Sequence, residues 1–117
     1  MNSSFEDCLA EGVALFNAGL WYEAHEVWEE AWKLQYGPRR DLLQGLILVA
    51  AGLIKRQAGR TQGARTLFTR ALERLEPLPA TCEGVDVGLL VPQVRHWREG
   101  GTSAPPRVSL SPTAASP

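Results

Sequence analysis

The sequence predicts an all-α protein: a compact bundle of four main helices with a short fifth, followed by a disordered C-terminal tail. Three observations carry this reading. Apolar residues recur at helical spacing through the first 80 residues, with no period-two alternation in that stretch. Gly19, Gly37-Pro38, Gly59 and Pro77 punctuate the chain at helix-length intervals. A chain of 117 residues with 44% apolar and 21% charged side chains can bury a core of its own as one domain.

The first helix opens at Ser3, where Ser3 and Glu6 have the spacing of a capping box. Phe5, Cys8, Leu9, Gly12, Val13 and Phe16 then form one apolar stripe, and Gly19 supplies the stop. The second helix covers Trp21 to Tyr36. The third runs from Arg39 to Ala58 and is apolar nearly all round, since Gln44 is the one polar side chain between Leu42 and Ile54. Gly45 and Gly52 lie two turns apart on one face, where a neighbouring backbone can approach. The fourth helix begins after Thr61 as N-cap, carries the stripe Ala64, Leu67, Phe68, Ala71, Leu72 and Leu75, and stops before Pro77. Asp86 caps a fifth helix that Pro92 should shorten or kink. Residues 1–99 therefore form the single helical domain. Residues 100–117 hold four prolines, four serines, two glycines and one charge, Arg107, and read as a disordered tail.

The net charge is −1, but it is unevenly spread. Residues 1–34 carry seven acids against Lys33, a balance of −6, while residues 35–75 carry eight bases against Asp41 and Glu73, a balance of +6. Such antisymmetry suits halves that pack together and makes nucleic acid an unlikely partner. Cys8 and Cys82 form no C-x-x-C pair, and reduced thiols are expected. The start of the chain lacks the basic and apolar regions of a signal peptide, and Leu46–Ile54 is too short to span a bilayer. The expected location is cytoplasmic, with no membrane partner.

The chemistry-bearing segment is Trp21 to Trp32. At about 100° per residue, Trp21, Trp28 and Trp32 fall within roughly 60° of His25 on one helix face. Glu29 lies one turn on, beside His25, whereas Glu23 and Glu30 point away. Trp21, Trp28 and Trp32 are thus either core or the walls of a pocket, and the remaining acids form a solvated face. Gln44, inside an apolar run, needs a partner if buried, and His25 or Glu29 is a candidate as much as a loop carbonyl or water.

The string Glu23-Ala24-His25-Glu26-x-Trp28-Glu29-x-x-Trp32, followed by Arg40-Asp41-x-x-Gln44-Gly45-Leu46-Ile47 and Gly63-Ala64, resembles the bacterial and archaeal family known as domain of unknown function 309. The match runs from about Phe16 to Leu75. The resemblance implies a compact all-helical fold with a polar cluster of Glu23, His25, Glu26, Glu29 and Gln44. It implies no activity. Where relatives carry a histidine near the Lys55 position, this chain has an ammonium that cannot replace it as a metal ligand.

Several function classes are weighed on these residues. A metal hydrolase wants about three protein ligands, and His25, Glu26 and Glu29 are the available set. A di-metal bundle needs Glu-x-x-His pairs on two helices, which the chain lacks. Cys8 lies on a core stripe and makes a poor nucleophile. Phe16–Ala24 is similar to a tetratricopeptide turn, but no 34-residue repeat follows. The expectation is an interaction or structural module, with a protein or a small ligand as its unknown partner. The alternative is a ligand-binding or hydrolase-like protein using His25 and Glu29, with a metal as an option. The sequence assigns no metal site and names no cofactor.

Overall fold

A computed structural model of the protein describes residues 4–111. Five helices follow one another: α1 (Phe5–Asn17), α2 (Trp21–Trp32), α3 (Gly37–Gln57), α4 (Thr61–Leu75) and α5 (Val87–Arg98). Between α4 and α5 lies a two-stranded antiparallel ribbon, β1 (Thr81–Cys82) and β2 (Val85–Asp86). Each of α1 to α4 packs on the next, so α3 lies between α2 and α4, and α5 packs on α4. The register is antiparallel: Gly12 of α1 faces Trp28 of α2, and along α3 Gly45 faces Leu75 while Gly52 faces Phe68. Those two glycines thus admit side chains of α4, not a backbone.

The stripes read from the sequence are the faces that pack. Phe5, Leu9, Val13 and Phe16 of α1 are buried, as are Ala64, Phe68, Ala71, Leu72 and Leu75 of α4. Leu42, Leu43, Leu46, Val49 and Leu53 make α3 the centre of the core. Gly19 and Gly59 stand at φ +83° and +80°, just past the ends of α1 and α3. In both cases the next amide reaches back to close the helix, Leu20 N–H to the Leu15 carbonyl and Arg60 N–H to the Lys55 carbonyl.

Boundaries differ where side chains compete. The cap of α1 is Ser4, whose Oγ accepts the Asp7 N–H at 3.0 Å, and Ser3 lies outside the described residues. α2 stops at Trp32, short of Tyr36, because the next turn would carry Leu34 and Tyr36, which nothing covers. α3 begins earlier than expected, with Pro38 in its first turn, where a missing N–H costs no helical bond. Thr61 is the first residue of α4 rather than its cap. Asp86 caps α5 as expected, and that helix runs through Pro92, whose exposed ring disturbs no packing.

Two features of the C-terminal third depart from the reading above. A small ribbon exists, turned by Glu83 (φ +52°) and Gly84 (φ +85°), the two left-handed residues of a tight hairpin. The expected disorder of residues 100–117 is not what residues 101–111 show, while residues 112–117 lie outside the described residues. Pro106 and Val108 are buried, and Leu110 forms a bridge with Val85. Composition misled here because the segment is held by its main chain, through partners that lie far away in sequence.

Candidate functional site

α2 is packed between α1 and α3, and its composition sorts by face. Trp28 is fully buried. Its indole lies over Gly12, 5.8 Å from the Phe16 ring, with Nε1 donating to the Leu9 carbonyl at 3.4 Å. Trp32 is half-buried beneath the Arg40 guanidinium, which sits 4.1 Å from the ring centroid. Among the described residues, the Trp32 indole nitrogen is buried and has no hydrogen-bond partner. Trp21 is half-buried and lines a cleft with Phe16, Asn17 and residues 104–107. The three tryptophans therefore stand in three separate environments along α2.

His25 is half-buried at the edge of this stripe, and Gln44 of α3 is half-buried as well. Glu23, Glu26 and Glu29 are exposed. No hydrogen bond joins His25, Glu29 and Gln44 to one another among the described residues. Nor do three His, Cys, Asp or Glu side chains gather there closely enough to share a metal ion. The residues available to any ligand at this position are His25 and Glu29, one turn apart.

The acids of α2 also lack the partners that charge antisymmetry suggested. Glu30 pairs with Lys33 at 3.0 Å on its own helix. Among the described residues, the ion pair between the two oppositely charged halves is Arg39–Glu6, at 3.1 Å. Among the described residues Glu23, Glu26 and Glu29 make no ion pair, so the negative face of α2 is open to solvent. Large exposed apolar side chains stand at the two ends of the helix: Tyr22, in its first turn, is 62% exposed, and Leu34 and Tyr36, just past its end, are 76% and 84% exposed.

On the side of α2 that faces α1, a cleft of about 300 Å³ is lined by Ser4, Phe5, Cys8, Glu30, Ala31, Leu34 and Gln35. Burial, with Glu11 and Asp7 nearby, pushes the Cys8 thiol above its ordinary range, and burial beside Glu83 does the same to Cys82. Both cysteines are free, and the upward shift favours the thiol over the thiolate.

Residues 9–67 match the family described as Domain of unknown function (DUF309). The chain belongs to this family. DUF309 therefore covers most of α1, all of α2 and α3 and the first half of α4, including every residue of the cluster expected from the sequence. A solved structure, that of a conserved hypothetical protein from Thermus thermophilus, is similar over 78% of this chain and 95% of its own, with 38% identity and a TM-score of 0.69. No curated protein matches. No described helix is long and apolar enough to cross a membrane.

What sequence reading missed at this site is the set of neighbours. Gly12 was legible as a member of the α1 stripe, and a glycine in such a stripe signals a bulky group from the facing helix. Nothing local to Arg40 announces that it will cover Trp32, eight residues away across a turn.

His25→Ala separates two roles. A buried, hydrogen-bonded histidine would lose about 1–3 kcal/mol on removal. With His25 half-buried and its neighbour Glu29 exposed, the expected change is within about 0.5 kcal/mol, as for surface substitutions generally. Urea unfolding of the variant against the parent protein measures it. A loss well above that value would make His25 a structural group.

Proposed function

We propose that this DUF309 protein is an interaction module that docks a basic polypeptide segment on the outer face of α2. The observation that carries this is the coincidence on α2 of three glutamates that make no ion pair among the described residues (Glu23, Glu26 and Glu29) with exposed Tyr22, and with Leu34 and Tyr36 exposed just past the end of the helix. Exposed tyrosines beside apolar side chains are the composition of binding patches, and the acids select a partner rich in Lys or Arg. In this reading His25 sits at the rim, Gln44 stays with the scaffold, and Trp21, Trp28 and Trp32 hold the helix in place. A negative face repels phosphates, which agrees with the sequence reading that sets nucleic acid aside.

The test uses the full chain and a labelled amphipathic Lys/Leu helical peptide, followed by fluorescence anisotropy at low and high salt. Glu23→Lys with Glu26→Lys should weaken binding about tenfold or more, since like charges would then face each other. Glu73→Lys, on an exposed face of α4, should leave it unchanged. Tyr22→Ser should weaken the part of the affinity that survives high salt. Equal effects of the α2 and α4 reversals, or no binding at low salt, would overturn the reading.

The unpartnered indole of Trp32, one turn from Glu29, supports a second reading in which a small ligand with an acceptor group binds beside His25 and Glu29. Such a ligand would shift tryptophan emission, and Trp32→Phe would remove the shift.

A further inference from the structure

The segment 104–111 is held by its main chain from two sides. Asn17, the last residue of α1, donates Nδ2 to the Val108 carbonyl at 2.8 Å and accepts the Val108 N–H on Oδ1 at 2.9 Å. Gln93 of α5 does the same for the preceding residue. Its Nε2 donates to the Arg107 carbonyl at 3.2 Å, and its Oε1 accepts the Arg107 N–H at 2.9 Å. In an extended chain, successive residues turn their N–H and C=O groups to opposite sides. Two side-chain amides from two helices thus stand where two flanking strands would be.

The remaining contacts follow the same logic. Trp97 Nε1 donates to the Ala104 carbonyl at 3.2 Å, immediately before Pro105-Pro106. Further along, the Asp86 N–H donates to the Ser109 carbonyl at 2.9 Å and the Ser111 N–H to the Gly84 carbonyl at 2.8 Å, so the segment adds to the β1–β2 ribbon. Side chains alternate: Pro106 and Val108 are buried and Leu110 half-buried, whereas Arg107 and Ser109 are exposed. Main-chain bonds for affinity, with pockets for every second side chain, are the physics of peptide grooves, and an indole N–H beside prolines suits a segment already extended. All of these contacts are made by atoms of residues 104–111, and none requires the tether through Gly100 and Gly101.

We propose that the end of α1, the β1–β2 ribbon and α5 form a groove for extended, proline-containing peptides, in which residues 104–111 are the tethered occupant that a partner polypeptide with the same Pro-x-Val-x-Leu alternation displaces. This surface is separate from the outer face of α2, and reversing Glu23 and Glu26 leaves it untouched. The tether through residues 99–103 gives the occupant an effective concentration on the order of millimolar, so the intact protein binds a free peptide weakly until the strap is released.

The test uses the full-length chain with Val108→Asp, which places a carboxylate in the buried Val108 pocket and releases the strap. A fluorescein-labelled peptide of residues 103–111 is titrated by anisotropy. The variant is expected to bind saturably, the parent protein at least about tenfold more weakly through competition by its own strap. Adding Gln93→Ala to Val108→Asp should cost a further tenfold or so, as two backbone bonds are lost. A folded Val108→Asp protein that binds no peptide, or binds it no better than the parent, overturns the proposal. So does a concentration-dependent dimer whose straps exchange, since the occupant would then be a second copy. If Val108→Asp does not fold, the parent chain gives the answer by trypsin cleavage after Arg107, whose N–H and C=O are both held by Gln93. Excess peptide with glutamine at the Arg107 position should accelerate that cleavage severalfold, and an unchanged rate overturns the proposal.

Discussion

Trp28→Ala is expected to lower the free energy of unfolding by about 3–5 kcal/mol, the largest single-residue effect in the molecule. Trp28 is fully buried, and the space left by its indole cannot be refilled from α1, because the position beneath it is Gly12. Phe16 would lose its ring partner and the Leu9 carbonyl, which also lies within the helical ladder of α1, the indole donor. Since Trp28 is the one large side chain of α2 that is fully buried, beside the small Ala24 and Ala31, the outer face that carries Glu23, Glu26 and Tyr22 should lose its definition along with the stability. Urea unfolding followed by helical circular dichroism measures the effect. Trp28→Phe should lose less, because a ring still fills part of the space over Gly12. A Trp28→Ala protein as stable as its parent would show that α2 is held elsewhere.

Gly52→Ala is expected to destabilise by about 1–3 kcal/mol, although alanine in a helix interior is intrinsically better than glycine by about 1 kcal/mol. A Cβ at Gly52 would stand 2.5 Å from Phe68 Cε1 and 2.7 Å from Cδ1, and Phe68 is fully buried with no room to withdraw. Packing therefore wins over propensity. Gly63→Ala supplies the control, since the nearest atom to a Cβ there is Lys55 Cδ at 3.8 Å, an ordinary contact. That change should raise the thermal midpoint while Gly52→Ala lowers it. The same sign for both would mean that α3 and α4 can separate to admit the methyl group.

The candidate site was legible as a helix and not as a cluster. Spacing alone places Trp21, Trp28 and Trp32 on one side of α2 and Glu23 and Glu30 on the other, because a residue's direction on a helix depends on its number. Whether His25 meets Glu29 or Gln44 depends on how deeply α2 sits against α3. On the α3 side that depth is marked by Arg40 lying over Trp32, whereas Gly12 admitting the Trp28 indole sets how closely α2 approaches α1. Neither distance is encoded within one helix.

The same division runs through the whole chain. Local sequence is enough for the five helices, their buried stripes, and the stops at Gly19 and Gly59, since each rests on interactions within a few residues. It is also enough to put α3 at the centre, because a helix apolar on every side has no stable position except between others. The assembled fold alone determines that Gly45 and Gly52 admit Leu75 and Phe68, that Glu23, Glu26 and Glu29 of α2 make no ion pair among the described residues, and that residues 104–111 are ordered. The strap shows the physical reason most plainly. Its order comes from Asn17 and Gln93, which hold the main-chain groups of Arg107 and Val108, together with the burial of Pro106 and Val108. Hydrogen bonds to a main chain are indifferent to the side chains it carries, so the composition of such a segment bears no trace of them.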